Sequence, residues 1–281
     1  LDSICTASAY LCPICATPLS FVLTGKTYQC ANKHSFDKAR EGYVNLLPVQ
    51  YKHSVEPGDN KAMLNARRAF LEASHYQPVA HALALLIGSF PSAQPIRLLD
   101  VGCGEGYYLR QLNQLCPPEP GIERHGVDIA KAAIAAAAKK DPAASYCVAS
   151  SQRLPYADGY FDHITRVFAP SNAAELYRVL KPSGHLILVT PGPRHLLQLK
   201  NLIYAQATEH PEKADLPEGF ESLTSQRISR WINPNRNERA ALLQMTPFAW
   251  RATPESQQAL AEPESLLIET DFMLTLARKR P

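Results

Sequence analysis

The stretch LLDVGCGEGYYLR, residues 98–110, decides the fold. Its first part, Leu98 to Val101, is short and apolar apart from Asp100, which suits a strand buried on both faces. Gly102, Gly104 and Gly106 then alternate with other residues and lead into a helix-prone run. Glycine lets the backbone turn sharply and lets a ligand come within contact distance. A strand-to-helix turn needs one glycine, so three predict a bound ligand. Its place is outside the carboxyl ends of an open parallel sheet.

Working outward, the pattern from Pro95 onward alternates strand and helix. Candidate strands are IRLLDVG (96–102), RHGVDI (124–129), SYCVAS (145–150), FDHITRVFA (161–169) and HLILVTP (185–191), with a last strand from Asp271 to Ala277. Helix-prone segments lie between them, clearest in AKAAIAAAAKK (130–140) and AAELYRVL (173–180). Short apolar strands alternating with helices predict an α/β fold, a doubly wound and mostly parallel sheet with both faces covered. That domain is expected over 94–281. Residues 49–93 read as a helical linker, and residues 1–48, turn-rich and bearing cysteines, as a small separate module.

The totals exclude several classes. Hydrophobic content of 46% and charged content of 20% are ordinary for a soluble globular chain of 281 residues. No apolar run approaches a membrane span, and the N-terminus lacks the order of a signal peptide. The expected location is the cytoplasm. A net charge of +3 does not by itself demand a polyanionic partner. Between Glu221 and Arg251, however, five arginines face two glutamates. On charge alone that stretch reads as solvated surface.

The ligand class can be narrowed. A dinucleotide loop needs G-x-G-x-x-G, but Tyr107 stands where the third glycine would fall, and no phosphate loop is present. Asp128, at the end of the next strand, can accept both hydroxyls of a ribose. A nucleoside with a charged amino-acid tail and no pyrophosphate fits best.

The N-terminal module supplies Cys12-x2-Cys15, fourteen residues, then Cys30-x3-His34. Paired thiolates and an imidazole on two tight turns predict a closed tetrahedral zinc site, structural because no position is left open. Cys5 falls outside the set. A module this small needs metal in place of a core, and its Lys26, Lys33, Lys38 and Arg40 suit a nucleic-acid surface.

LLDVGCGEGYY and HGVDIAKAAI together resemble the first two motifs of class I S-adenosylmethionine-dependent methyltransferases. SSQRLPYADGYFDHI and LKPSGHLILVTP fit later parts of that pattern. The resemblance implies that Gly102, Gly104, Glu105 and Gly106 line the methionine and ribose, that Asp128 holds the ribose hydroxyls, and that Ser150 lies near the adenine. FDKAREGYVNLLPVQ, PGDNKAMLNARRAFLEASHYQP, TPGPRHLLQLK and LLQMTPFAWR extend the likeness over nearly the whole chain. With the zinc pattern, they resemble the 23S ribosomal RNA guanine-N1 methyltransferases of the RlmA type.

That resemblance implies a homodimer framing a cleft for an rRNA hairpin. It places Tyr76, His195 and Asn172 at the donor site, with His195 meeting the methionine carboxylate. Phe168, Phe248 and Trp250 become candidates to stack on the target base, and Arg194, Arg67, Arg68 and Arg251 candidates for phosphate contacts. No proton acceptor for guanine N1 is nominated. Two competing readings are a methyltransferase for a small molecule or protein, and an RNA-binding zinc protein with a vestigial donor site.

Overall fold

The computed structural model describes residues 5–51, 58, 60–116, 118–119, 121–212 and 215–280. Pro57 and Asp59 of the quoted 57–78 segment lie outside the described residues. The N-terminal segment forms β1 (Cys5–Leu11), β2 (Pro18–Val22), β3 (Thr27–Cys30) and β4 (Ser35–Asp37), paired antiparallel in that order. There follow β5 (Val44–Asn45), α1 (Lys61–Glu72), α2 (Gln77–Gly88), β6 (Ile96–Val101), α3 (Tyr107–Leu115), β7 (Ile122–Asp128), α4 (Lys131–Lys140) and β8 (Ser145–Val148). The chain closes with β9 (Phe161–Val167), α5 (Ala173–Val179), β10 (Leu180–Pro191), α6 (Leu197–Ile203), β11 (Phe220–Ile232), α7 (Arg236–Gln244), α8 (Pro254–Ala261) and β12 (Ile268–Lys279).

The large sheet has the order β11-β12-β10-β9-β6-β7-β8-β5. Pairing is parallel from β5 to β10 and antiparallel at β12 and β11. The chain leaves β6 toward β7 and β8, then returns to build β9 and β10 on the other side. The strand order therefore reverses between β6 and β9, which is where open sheets of this kind bind ligands. The predicted α/β class holds.

Local sequence explains the helices that shape the ligand side. Asn60 caps α1 by accepting the Met63 N–H at 3.0 Å, satisfying one of the donors that a helix start leaves unpaired. Pro78 sits in the first turn of α2, where its missing N–H costs nothing. Val79, Ala80, Leu83, Ala84 and Ile87 then bury one face of that helix. In α4 the buried face is Ala133, Ile134, Ala137 and Ala138, small side chains that let the helix sit close on the sheet.

Two features depart from the sequence reading. The polar stretch FESLTSQRISRWI is a thirteen-residue edge strand, β11. Val44–Asn45 runs parallel to β8 and extends the large sheet. The N-terminal module also shares a core with that sheet: Tyr10, Cys12, Leu19 and Cys30 are buried in one cluster with Leu99, Val101 and Tyr156. The Leu11 N–H donates to the Pro155 carbonyl at 2.9 Å, and the rings of Tyr10 and Tyr156 lie 5.4 Å apart. Among the described residues, no helix is long and apolar enough to cross a membrane.

Candidate functional site

The glycine loop after β6 adopts left-handed backbone at all three glycines, with φ of 74° at Gly102, 54° at Gly104 and 70° at Gly106. L side chains rarely tolerate this region. A Cβ on Gly102 would collide with the Ala169 methyl, and one on Gly106 would meet the Tyr146 hydroxyl oxygen at 2.5 Å. Those two glycines are therefore demanded by the protein's own packing. Gly104 differs: a Cβ there would meet nothing within 4 Å. It borders open space, as a residue beneath a ligand should.

Asp128 is anchored beside the loop. Its Oδ2 accepts the Gly104 N–H at 2.9 Å, and its Oδ1 accepts the Ala130 N–H at 2.8 Å. A carboxylate oxygen can accept more than one hydrogen bond, so this anchoring is compatible with ligand hydroxyls. Gly102, Gly104, Glu105 and Asp128 all line a cavity of about 420 Å³, within the ~300–1,000 Å³ usual for small-molecule sites. Ala149 and Ser150 border it beyond Asp128, and Phe168 to Pro170 border it after β9. Further walls come from α1, through Arg67, Arg68 and Leu71, from Tyr76, and from Tyr107, Tyr108 and Arg110 of α3.

Several charged side chains give the pocket its electrostatic character. Asp100 is 2% exposed and accepts a hydrogen bond from the Thr165 hydroxyl at 2.9 Å. Burial pushes its carboxyl up to about 7. Arg68 and Glu105 form a two-point ion pair within the lining. Arg110 adds a hydrogen bond from its guanidinium to the Glu105 carbonyl.

Phe168 adopts φ of 53°, rare for a residue with a Cβ, and its ring is 40% exposed beside the cavity. Such backbone strain persists only where its surroundings fix it, and it marks functional positions. Here the Phe168 N–H donates to the Val189 carbonyl at 3.1 Å, and the ring packs on His195 and Phe272 at 5.5 and 5.8 Å.

The other candidates are placed as follows. Tyr76 lines the cavity and is buried. His195 stands behind it rather than on the lining. Its Nε2 lies 3.3 Å from the Tyr76 hydroxyl, and its Nδ1 accepts the Asp271 N–H at 3.2 Å. Burial drops this imidazole to about 3, so it is neutral and does not present a charge to a ligand carboxylate. Asn172 caps α5, accepting the N–H groups of Ala174 and Glu175, and does not reach the lining. Gly106 turns the chain into α3 just off the lining.

Arg194 is held by Glu269 at 2.7 Å, beside an Arg227–Asp271 pair at 2.8 Å. Phe248 packs against the core and Tyr204, whereas Trp250 is 76% exposed next to exposed Arg251. Arg67 and Arg68 face the cavity, Arg67 also donating to the Met245 carbonyl at 3.2 Å. Sequence gave no signal for this placement, because a charged pair on a helix does not reveal which face is covered.

The N-terminal cluster fits a metal. The ligand atoms of Cys12, Cys15, Cys30 and His34 all lie within 4.8 Å of one another. The Cys15–Cys30 sulfurs are 3.7 Å apart, and His34 Nδ1 is 3.5 and 3.4 Å from the sulfurs of Cys12 and Cys30. Zinc–sulfur bonds of about 2.3 Å in a tetrahedron place sulfurs ~3.8 Å apart. Each pair sits on a tight turn with a left-handed residue, Ala16 at φ 58° and Lys33 at φ 63°. Hydrogen bonds from Thr17 pull the Cys15 thiol down to about 5, favouring the thiolate that zinc binds.

Comparison with known proteins accounts for both halves. Residues 10–55 match the zinc-ribbon family described as "RlmA, N-terminal", and residues 99–188 match "Methyltransferase domain". The 23S rRNA (guanine(748)-N(1))-methyltransferase of Streptomyces fradiae is 32% identical over 250 residues, covering 87% of this chain and 86% of that protein. A Micromonospora griseorubida protein provisionally named 23S rRNA (guanine-N(1)-)-methyltransferase is 33% identical, covering 96% of each chain. A Bacillus subtilis protein with the same provisional name is 30% identical, covering 97% of this chain and 98% of its own. With similarity at this level along nearly its full length, the chain belongs to the RlmA-type family of 23S rRNA guanine-N1 methyltransferases.

Proposed function

We propose that this chain transfers the methyl group of S-adenosylmethionine to N1 of a guanine in a hairpin of 23S rRNA. The observation that carries the reading is the cavity itself. A glycine with open space above it, an anchored carboxylate at the end of the next strand and a strained aromatic at the rim converge on one side of the sheet.

When bound, the donor supplies an electrophilic methyl carbon on a sulfonium. The proton that guanine N1 loses has to pass to a base or to solvent, and the rest is positioning, which can supply on the order of 7–11 kcal/mol of a barrier. Asp128 takes the ribose hydroxyls, and Ser150 borders the adenine. Tyr76 closes the wall from the linker. Phe168, at the rim, offers a ring on which the target base stacks. Guanine N1 is engaged in pairing within a stem, so the target has to be a loop base or one turned out of its stack.

Cys12, Cys15, Cys30 and His34 would hold a structural zinc, leaving the ribbon's basic residues to meet RNA. In this reading residues 1–48 recognise RNA, 49–93 link and line the donor site, and 94–281 catalyse. Two copies act together on one hairpin, in the cytoplasm.

The test uses methyl-labelled donor with 23S rRNA from cells lacking the enzyme, and with 16S rRNA and total protein as competitors. Label is expected in 23S rRNA alone. The yield should fall steeply with added salt, because phosphate contacts release counterions. Label in protein or small molecules with none in RNA overturns the substrate.

A further inference from the structure

Beyond Asp128, the wall of the donor cavity is a segment with no helix or strand of its own. Ala149, Ser150, Ser151 and Gln152 line the cavity, and the chain stays irregular through Pro155. Inside the loop, the Arg153 N–H donates to the Ser150 carbonyl and the Gln152 N–H to the Ser150 hydroxyl oxygen, both at 3.1 Å. A loop with so few bonds of its own takes its place from what holds its two ends.

Both ends are tied to the N-terminal segment. At the near end the Leu46 N–H donates to the Val148 carbonyl at 2.9 Å, continuing the pairing of β5 with β8. At the far end the Leu11 N–H donates to the Pro155 carbonyl at 2.9 Å. Tyr10 bridges Tyr156 there, the two buried rings lying 5.4 Å apart. Leu11 directly precedes Cys12, the first residue of the metal-binding set. Helix α5 supports the loop from another side. Glu175 accepts the Leu154 N–H at 2.7 Å, and Arg178 donates to the carbonyls of Leu154 and Tyr156 at 2.8 and 2.6 Å.

The buried residues of the ribbon, Tyr10, Cys12, Leu19 and Cys30, belong to the core shared with the sheet. A metal held by Cys12, Cys15, Cys30 and His34 would fix them to one another, because binding energy at such a site is folding energy. We propose that the zinc ribbon positions the adenine wall of the donor pocket, with Tyr10 and Leu11 as positioning residues, so that metal loading raises donor affinity. The proposal rests on the donor-pocket reading above, and it gives the ribbon a role that needs no RNA. Without the metal or the Tyr10 ring, the far end of the loop is freed while α5 keeps it nearby. The donor then has to order the loop as it binds, which weakens its apparent affinity. The linkage is reciprocal, so a bound donor also tightens the ribbon's hold on its metal.

The experiment is calorimetric titration of the full chain with S-adenosylhomocysteine and 5′-deoxy-5′-methylthioadenosine, which share the adenosine thioether and differ in the tail. Zinc-loaded wild type is compared with zinc-loaded Tyr10→Leu and with metal-stripped wild type, and hydrogen exchange is read by mass spectrometry on the same samples. Both altered samples should bind the two ligands about 10-fold more weakly, each ligand by the same factor. Exchange should quicken in 149–156 and stay unchanged in 98–106.

Unchanged affinity in either altered sample overturns the proposal. So does a loss confined to S-adenosylhomocysteine, which puts the effect at the tail. Exchange that quickens across β6, β7 and β9 as well marks general loosening of the sheet and overturns it too. Should Tyr10→Leu fail to fold, the stripped wild type decides by the same two readings. A zinc-loaded wild type that binds neither ligand overturns the donor-pocket reading itself.

Discussion

The Tyr76 hydroxyl oxygen lies 3.3 Å from Nε2 of His195, on a ring whose other nitrogen accepts the backbone N–H of Asp271. A backbone N–H can only donate, so Nδ1 carries no hydrogen. The neutral ring then holds its proton on Nε2 and donates to the tyrosine oxygen. The phenol's own hydrogen is then not used in that contact. In the proposed reading, His195 acts on the ligand by orienting Tyr76, which lines the cavity.

Tyr76→Phe is expected to weaken donor binding by about 10-fold, the loss of one hydrogen bond. It should also lower stability by about 1–3 kcal/mol, because Nε2 of His195 loses its buried partner. Titration with S-adenosylhomocysteine and a denaturant melt check both. Unchanged affinity would contradict the hydroxyl's role.

Stability should decline toward acid. Burial drops His195 to about 3 and His163 to about 4, whereas unfolded histidines protonate at about 6.5. Between those values the unfolded chain binds two protons that the folded chain refuses. Asp100 opposes them: burial raises it to about 7, so the folded chain binds one proton that the unfolded carboxylate releases. Two against one leaves a net proton on the unfolded side, and the lowered His185, His210 and Cys15 add to it. The expected loss is at least about 1 kcal/mol per pH unit from about pH 6 down to 4.5, where unfolded histidines are mostly protonated. Urea unfolding at three pH values in that window measures it, and a flat or rising free energy toward acid would contradict it.

Removing the metal should damage more than the ribbon. Cys12 and Cys30 lie in one buried cluster with Leu99, Val101 and Tyr156 of the large sheet. Cys30→Ser, or chelation, is expected to lower the melting temperature by about 10 °C or more, as loss of several kcal/mol does in a chain of this size. Elemental analysis should give one zinc per wild-type chain. Calorimetry showing the same melting temperature with and without metal would contradict the structural role.

Trp250 and Phe248 should separate. Trp250 is 76% exposed, while Phe248 packs on the core and on Tyr204. A base stacked on an aromatic ring contributes about 1–3 kcal/mol. Trp250→Ala should weaken rRNA binding by about 10-fold and leave donor affinity and melting unchanged. Phe248→Ala should lower the melting temperature. Filter binding and thermal melts distinguish them, and unchanged RNA affinity in Trp250→Ala removes that residue from the interface.

The sheet was legible where burial writes a pattern into sequence. Leu98, Leu99, Val101, Val127 and Leu186 to Val189 are apolar because both faces of their strands are covered. The loop was legible because left-handed backbone and close packing leave little choice but glycine. β11 was not: as an edge strand with mostly exposed side chains, it shows no alternation, and its arginines read as solvated surface. The partners of Arg68 and of His195, 37 and 76 residues away, are tertiary facts with no local trace. Asn172, expected at the donor site, has its side chain engaged in capping α5.

The proposed reaction changes one atom of one base. Nucleosides from 23S rRNA treated with the enzyme and S-adenosylmethionine should be separated and weighed by mass spectrometry, starting from rRNA of cells lacking the gene. The expected result is 1-methylguanosine, absent without enzyme and near one per 23S molecule with it. A methyl group on another guanine atom or another base, or none in RNA from a chain that binds the donor, would contradict the claim.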